Sequence, residues 1–220
     1  MNNSRDDLIS SLSSGLEPVH RAINVDRMAA LWLLVSALYV AGITYWLGPI
    51  RPHALAQLAS EPRFLVETLS GVLAIVVVSL ASFRTAIPGA LTVRFATAGA
   101  VLMALWLGSY IFGLVSPALE PSMLGKRHYC VWETFAYALP PMLLGFVLVR
   151  RLYPLQPVKT AMSFSLVAGM IPALYMQIAC MYMPAHILKF HIIPGLLVSV
   201  VGAAIAWISR PSSTGPAALR

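Results

Sequence analysis

Two cysteines, Cys130 and Cys180, and the histidines His53, His128, His186 and His191 are the side chains of this chain best suited to chemistry. Thiolate and imidazole are the donors that copper, zinc and cadmium prefer. His128 and Cys130 flank one predicted helix start, and Glu133 follows Cys130 by one turn on the same face. Cys180, His186 and His191 flank a later link between helices. Converging, these groups could hold a thiophilic metal ion. Alternatively, the two sulfurs could form a disulfide in an oxidising compartment, provided their Cα atoms approach within about 7 Å. Plainer roles stand beside these. A lone Cys in a membrane helix is often a small apolar packer, and no segment has tight ligand spacing of its own. Glu67 and Glu133 are costly to hold near lipid, so they face the bundle interior or water, or pair with Arg63 and Arg127.

The elements that must position these groups follow from composition. The chain has 220 residues, is 59% hydrophobic and only 10% charged, where a globular domain carries about a quarter. A soluble core could not hide that much apolar surface in so short a chain, so the bilayer is the natural solvent. The net charge of +7 comes from single Lys and Arg residues scattered between apolar runs. That pattern suits loops meeting lipid headgroups and gives no footprint for direct nucleic-acid contact.

Runs of roughly 20 apolar residues predict six spans, at about 28–48, 64–83, 95–117, 131–149, 160–182 and 190–208. Short, proline-bearing links between them imply an all-α, six-transmembrane-helix up-and-down bundle. With the N-terminus inside, the cytoplasmic segments hold Arg5, Arg21, Arg27, Arg84, Arg94, Arg150, Arg151, Lys159, Arg210 and Arg220. The outer segments hold only Arg51, Arg63, Lys126, Arg127 and Lys189. The excess places both termini in the cytoplasm of a multi-pass inner (plasma) membrane protein. Cys130, Cys180, the four histidines, Glu67 and Glu133 then share the outer face. Pro140-Pro141, Pro172 and Pro194 interrupt the last three spans, whereas the first three interiors lack proline, so the cysteine-bearing half is the more bendable.

The chain divides into a cytoplasmic arm at 1–27, a transmembrane domain at 28–209 and a flexible tail at 210–220. Within the arm, SRDDLISSLSSGL predicts a short amphipathic helix: Ser4 can cap it, Asp6 and Asp7 suit its positive end, and Leu8, Ile9, Leu12 and Leu16 share one face. Its acidic start makes it a poor membrane binder, so a protein groove is the better destination.

Taken in order, these pieces resemble the NrsF family of six-span bacterial anti-sigma factors over nearly the whole chain. The resemblance rests on DDLISSLSSGLEPVHR in the arm, EPRFLVETLSG leading into the second span, and Pro88-Gly89 closing that hairpin. It rests also on one Cys before the fourth span, on Arg150-Arg151 followed by Pro154 and Pro157, and on Cys180 with nearby His at the end of the fifth. It implies that the arm holds an extracytoplasmic-function sigma factor away from RNA polymerase. It implies further that Cys130 and Cys180 take part in sensing metal or oxidative stress. His128, His186, His191 and Glu133 join that site on chemical grounds alone. Copper, zinc or cadmium would suit such a donor set, although nothing in the residues fixes a resident cofactor.

Other classes make different demands. A small metal transporter or channel predicts polar residues near mid-membrane, and these spans are nearly free of charge there. A thiol–disulfide enzyme wants a CxxC or a second cysteine pair; neither occurs, so no enzymatic role is expected. A structural membrane subunit would tolerate loss of both cysteines.

Overall fold

The structure is a computed structural model that describes residues 3–14, 24–48 and 50–209. Its regular structure is all helical, with no strand among those residues. Six helices are long and apolar enough to cross a membrane: α2 (Val25–Leu47), α4 (Pro62–Arg84), α5 (Val93–Gly113), α6 (Cys130–Arg150), α7 (Pro157–Ala179) and a final span, Pro184–Ile208. The final span is composite. A short α8 (Pro184–Ile187) passes through one π-helical turn, Leu188–Ile192, into α9 (Ile193–Ile208).

Local signals set these ends. Asn24 caps α2, its side chain accepting from the Arg27 amide at 3.0 Å, and Thr92 caps α5 in the same way through Phe95. Pro62, Pro157 and Pro184 occupy the first helical turn, where a missing amide costs nothing. The fifth span stops at Ala179, three residues before the apolar run does, because Cys180 turns extended (φ −94°, ψ 177°). The sixth starts at Pro184, six residues earlier than apolar spacing alone suggests. A short helix absent from the expectation, α3 (Ala54–Ser60), lies in the first connection, entered through His53 in the left-handed conformation.

The bundle is organised around α7, the most buried span, which packs on α2, α4, α6 and α9. Its seam with α9 is closed by small residues. A Cβ on Gly169 would sit 2.1 Å from the Gly195 carbonyl oxygen, and one on Gly202 would sit 2.0 Å from Ser165 Oγ. Such close backbone approach is how membrane helices gain packing energy without a hydrophobic drive between them. The first span is tied to the fourth by the Trp32 indole, which donates to the Pro141 carbonyl at 2.9 Å. At the end of the bundle nearest the arm, Arg84 forms a two-pronged ion pair with Asp26, both contacts at 2.7 Å, and lies over the Phe95 ring.

Helix α1 (Asn3–Ser14) begins one residue before Ser4, which therefore stands inside the first turn instead of capping it. Its described side chains are all exposed, Leu8, Ile9 and Leu12 at 59%, 63% and 64%. Leu16 and the tail at 210–220 lie outside the described residues.

Candidate metal centre

Three elements meet at the site. Cys130 is the first residue of α6, Cys180 is the residue that ends α7, and His186 and His191 lie on the last span. One donor atom from each falls within 4.8 Å of the others. The sulfurs are 3.7 Å apart, and Cys180 Sγ is 3.7 Å from His186 Nε2. A tetrahedral ion with metal–sulfur bonds of about 2.3 Å has ligand–ligand edges of about 3.8 Å, which the sulfur–sulfur and Cys180–His186 spacings match. Both thiols are free and buried, and closing them into a disulfide would bring the sulfurs about 1.7 Å nearer.

The π turn explains how two histidines five residues apart can cooperate. In an α-helix that spacing puts side chains about 140° apart around the axis. A π turn, closed here by the Ile193 amide bonding Leu188 O five residues back, brings them to one side. The two imidazole rings consequently lie 5.2 Å apart in edge-to-face contact.

Thr134, one turn into α6, sets the state of His191. Its hydroxyl donates to the Cys130 carbonyl at 2.9 Å, so its oxygen is left to accept from His191 Nδ1 at 3.3 Å. In the tautomer this geometry suits, Nδ1 carries the proton and Nε2 the lone pair, buried on the side of Cys180. An imidazole held by its other nitrogen, with a bare buried Nε2 near two sulfurs, is the arrangement that metal-binding histidines use. Sequence spacing holds one signal for Thr134: it stands four residues after Cys130 and shares its face.

Glu133 and His128 fall outside this group of four. Glu133 pairs with Arg127 Nε at 2.7 Å; His128 is exposed at the mouth of a cavity of roughly 640 Å³ whose wall includes Cys130, His186, Met123, Met181 and Met183. His53 is exposed at the start of α3. Glu67 is buried and pairs with neutral partners, not with Arg63, which instead binds Ser116. The Tyr182 hydroxyl donates to Glu67 Oε2 at 3.1 Å, and the Gln177 amide donates to Oε1 at 3.3 Å.

Arg51 lies just behind Cys180. Its amide donates to the Ala179 carbonyl at 2.9 Å, and its guanidinium packs against the rings of Phe64 and Tyr182. Burial holds this guanidinium below the ordinary arginine range, while nearby Tyr182 and Cys180 favour its charge. A buried cation beside Cys180 offsets part of the negative charge that a thiolate there would bring.

A family model described as NrsF, negative regulator of sigma F, matches residues 12–209. No curated protein and no solved structure matches the chain.

Proposed function

Because the chain belongs to the NrsF family of negative regulators of sigma F, we propose that it is a membrane anti-sigma factor with a sensory site at one end of its bundle. It resides in the bacterial inner membrane with both termini cytoplasmic. Its arm, residues 1–27, sequesters an extracytoplasmic-function sigma factor. Leu8, Ile9, Leu12 and Leu16 supply the apolar face, and Asp6 and Asp7 the acidic edge. Fully burying four aliphatic side chains yields at most ~6–12 kcal/mol gross, and ordering the segment returns about 2–5 of it. That balance suits a releasable partner. The exposure of Leu8, Ile9 and Leu12 supports this assignment, since a helix of three turns in water needs a surface to cover its apolar stripe.

The signal is read by Cys130, Cys180, His186 and His191. Four convergent donors carry the metal reading: an oxidant needs the two sulfurs alone, whereas a copper, zinc or cadmium ion uses all four. When bound, such an ion supplies bonds from α6, α7 and the final span to one point. The thiols give up their protons, Thr134 keeps His191 in the ligating tautomer, and the outer helix ends are held at fixed spacing. Moving the partner from mostly bound to mostly free takes roughly 5.5 kcal/mol of differential binding, and a two-thiolate metal site has that capacity.

Co-purification of the full-length chain from native membranes tests the reading. A sigma factor should be retained by the intact chain and lost on deletion of residues 1–27. Retention of none by the intact chain would end the anti-sigma assignment.

A further inference from the structure

The metal centre and the root of the arm lie at opposite ends of the bundle, and something must join them. α4 touches both. Near its first turns, Glu67 receives the Tyr182 hydroxyl and the Gln177 amide. Tyr182 is two residues from Cys180, and Gln177 three. Tyr182 also accepts from the Ala118 amide on its hydroxyl at 3.2 Å and from the Ser122 amide on its carbonyl at 3.0 Å. Its ring meets Phe64, three residues before Glu67, edge-on at 5.5 Å. The extended segment that carries Cys180 is thus fastened to α4 by side chains.

At its other end α4 is fastened to the helix from which the arm emerges. Arg84 grips Asp26 through both carboxylate oxygens, and Phe83 packs on Trp32 with ring centroids 5.3 Å apart. Asp26 lies two residues after Asn24, the cap of α2. Thr85 adds a hydroxyl contact to Thr160 at the start of α7.

Between these two attachments α4 is unbroken. Its one proline, Pro62, is in the first turn, whereas α6 and α7 carry prolines in their interiors. Seventeen residues separate Glu67 from Arg84, about 26 Å of helix at 1.5 Å per residue. A continuous helix without an internal proline, fastened by directional bonds at both ends, passes displacement along its length, whereas a proline kink absorbs it.

We infer that α4 is the rod that carries the state of the Cys130/Cys180/His186/His191 site to the arm, with Glu67 and Tyr182 as its input contacts and Arg84 and Asp26 as its output contacts. This rests on the sensory reading above for its meaning, but not for its mechanics. Displacing the Cys180 segment shifts Tyr182 and Gln177. Glu67 follows, α4 tilts, and the Arg84–Asp26 grip repositions the start of α2. Interfaces packed this tightly shift between discrete arrangements, so sub-ångström input becomes a larger change at the far end.

Hydrogen exchange on the full-length chain in lipid nanodiscs tests the rod without any ligand. Tyr182→Phe removes a single oxygen, and Glu67→Gln keeps the shape of the side chain. Each should change exchange at residues 24–28 and 84–92 by at least about fivefold, the lower bound of typical coupling. Changes confined to residues 60–70, 116–124 and 177–186 would overturn the inference. If the two ends are coupled, breaking the output contact must also be felt at the input, so Asp26→Asn should shift Cd(II) affinity several-fold, read from the ultraviolet cadmium–thiolate absorbance. An affinity equal to wild type would overturn it as well. A wild-type chain that takes up no Cd(II) would sink the sensory reading instead, and the exchange comparison would still decide the rod.

Discussion

Cys130 and Cys180, fifty residues apart in sequence, place their sulfurs 3.7 Å apart inside the bundle. Antiparallel helices bring the start of α6 and the end of α7 to the same depth, and the extended turn at Cys180 aims its thiol at the neighbouring helix. Two buried thiols at metal-ligand spacing, with two imidazoles beside them, make the first expectations quantitative.

Replacing either cysteine by serine removes one thiolate donor. Cd(II) affinity of the purified chain should fall by more than about 100-fold, beyond the loss typical of a partner that only orients a ligand. A transcriptional reporter of the sigma factor's targets should lose its response to copper, cadmium or oxidant in the double variant. An unchanged response would remove the cysteines from sensing and leave the anti-sigma role intact.

Thr134→Val keeps the shape of the side chain and deletes the oxygen that fixes His191. Metal affinity should drop by about 10–100-fold, with thermal stability nearly preserved. Thr134→Ser should restore most of it, since the hydroxyl returns. Equal affinity in all three chains would mean that His191 is not a ligand.

The arm should separate cleanly from the bundle. Leu8→Ala and Leu12→Ala each forfeit the burial of a large aliphatic side chain, about 1.5–3 kcal/mol for complete burial, so sigma-factor affinity in a pull-down should fall by roughly 10–100-fold. Both residues are exposed, and the melting temperature of the membrane domain should not move. A loss of bundle stability without loss of binding would contradict the assignment.

Glycine positions give a stability contrast free of any ligand. Gly169→Ala drives a Cβ into the Gly195 carbonyl and should destabilise the folded chain in detergent by about 1–3 kcal/mol or more. Gly42→Ala has nothing within 4 Å and should be neutral or slightly stabilising, because alanine favours helix by about 1 kcal/mol.

Much of this architecture is legible in the residues. Long apolar runs separated by prolines define the spans, and the reading that Cys130 opens one helix while Cys180 closes the next agrees with the structure. Glu133 stands one turn from Cys130 and takes the other role its sequence allowed, the ion pair with Arg127. Other features depend on the folded geometry. His128 is two residues from Cys130 but exposed, outside the four convergent donors. His186 and His191 look mismatched on any α-helical wheel, and only the π turn aligns them. Thr134 shows its role through a tautomer, which no periodicity encodes. The early end of α7 follows from Tyr182 being tied to Ala118 and Ser122, a bond between loops that hydropathy does not record.

The π turn at Leu188–Ile192 carries a consequence at the level of the reading frame. It holds one residue more than an α turn would, so an in-frame deletion of a single codon there would leave a continuous helix and an intact apolar run. The span would still insert and still pack. Losing one of residues 188–190 would leave the two histidines four apart, a spacing that an α-helix keeps on one face, whereas one added codon would part them. Hydropathy along the chain would scarcely register such an insertion, while the two imidazoles would no longer face one point.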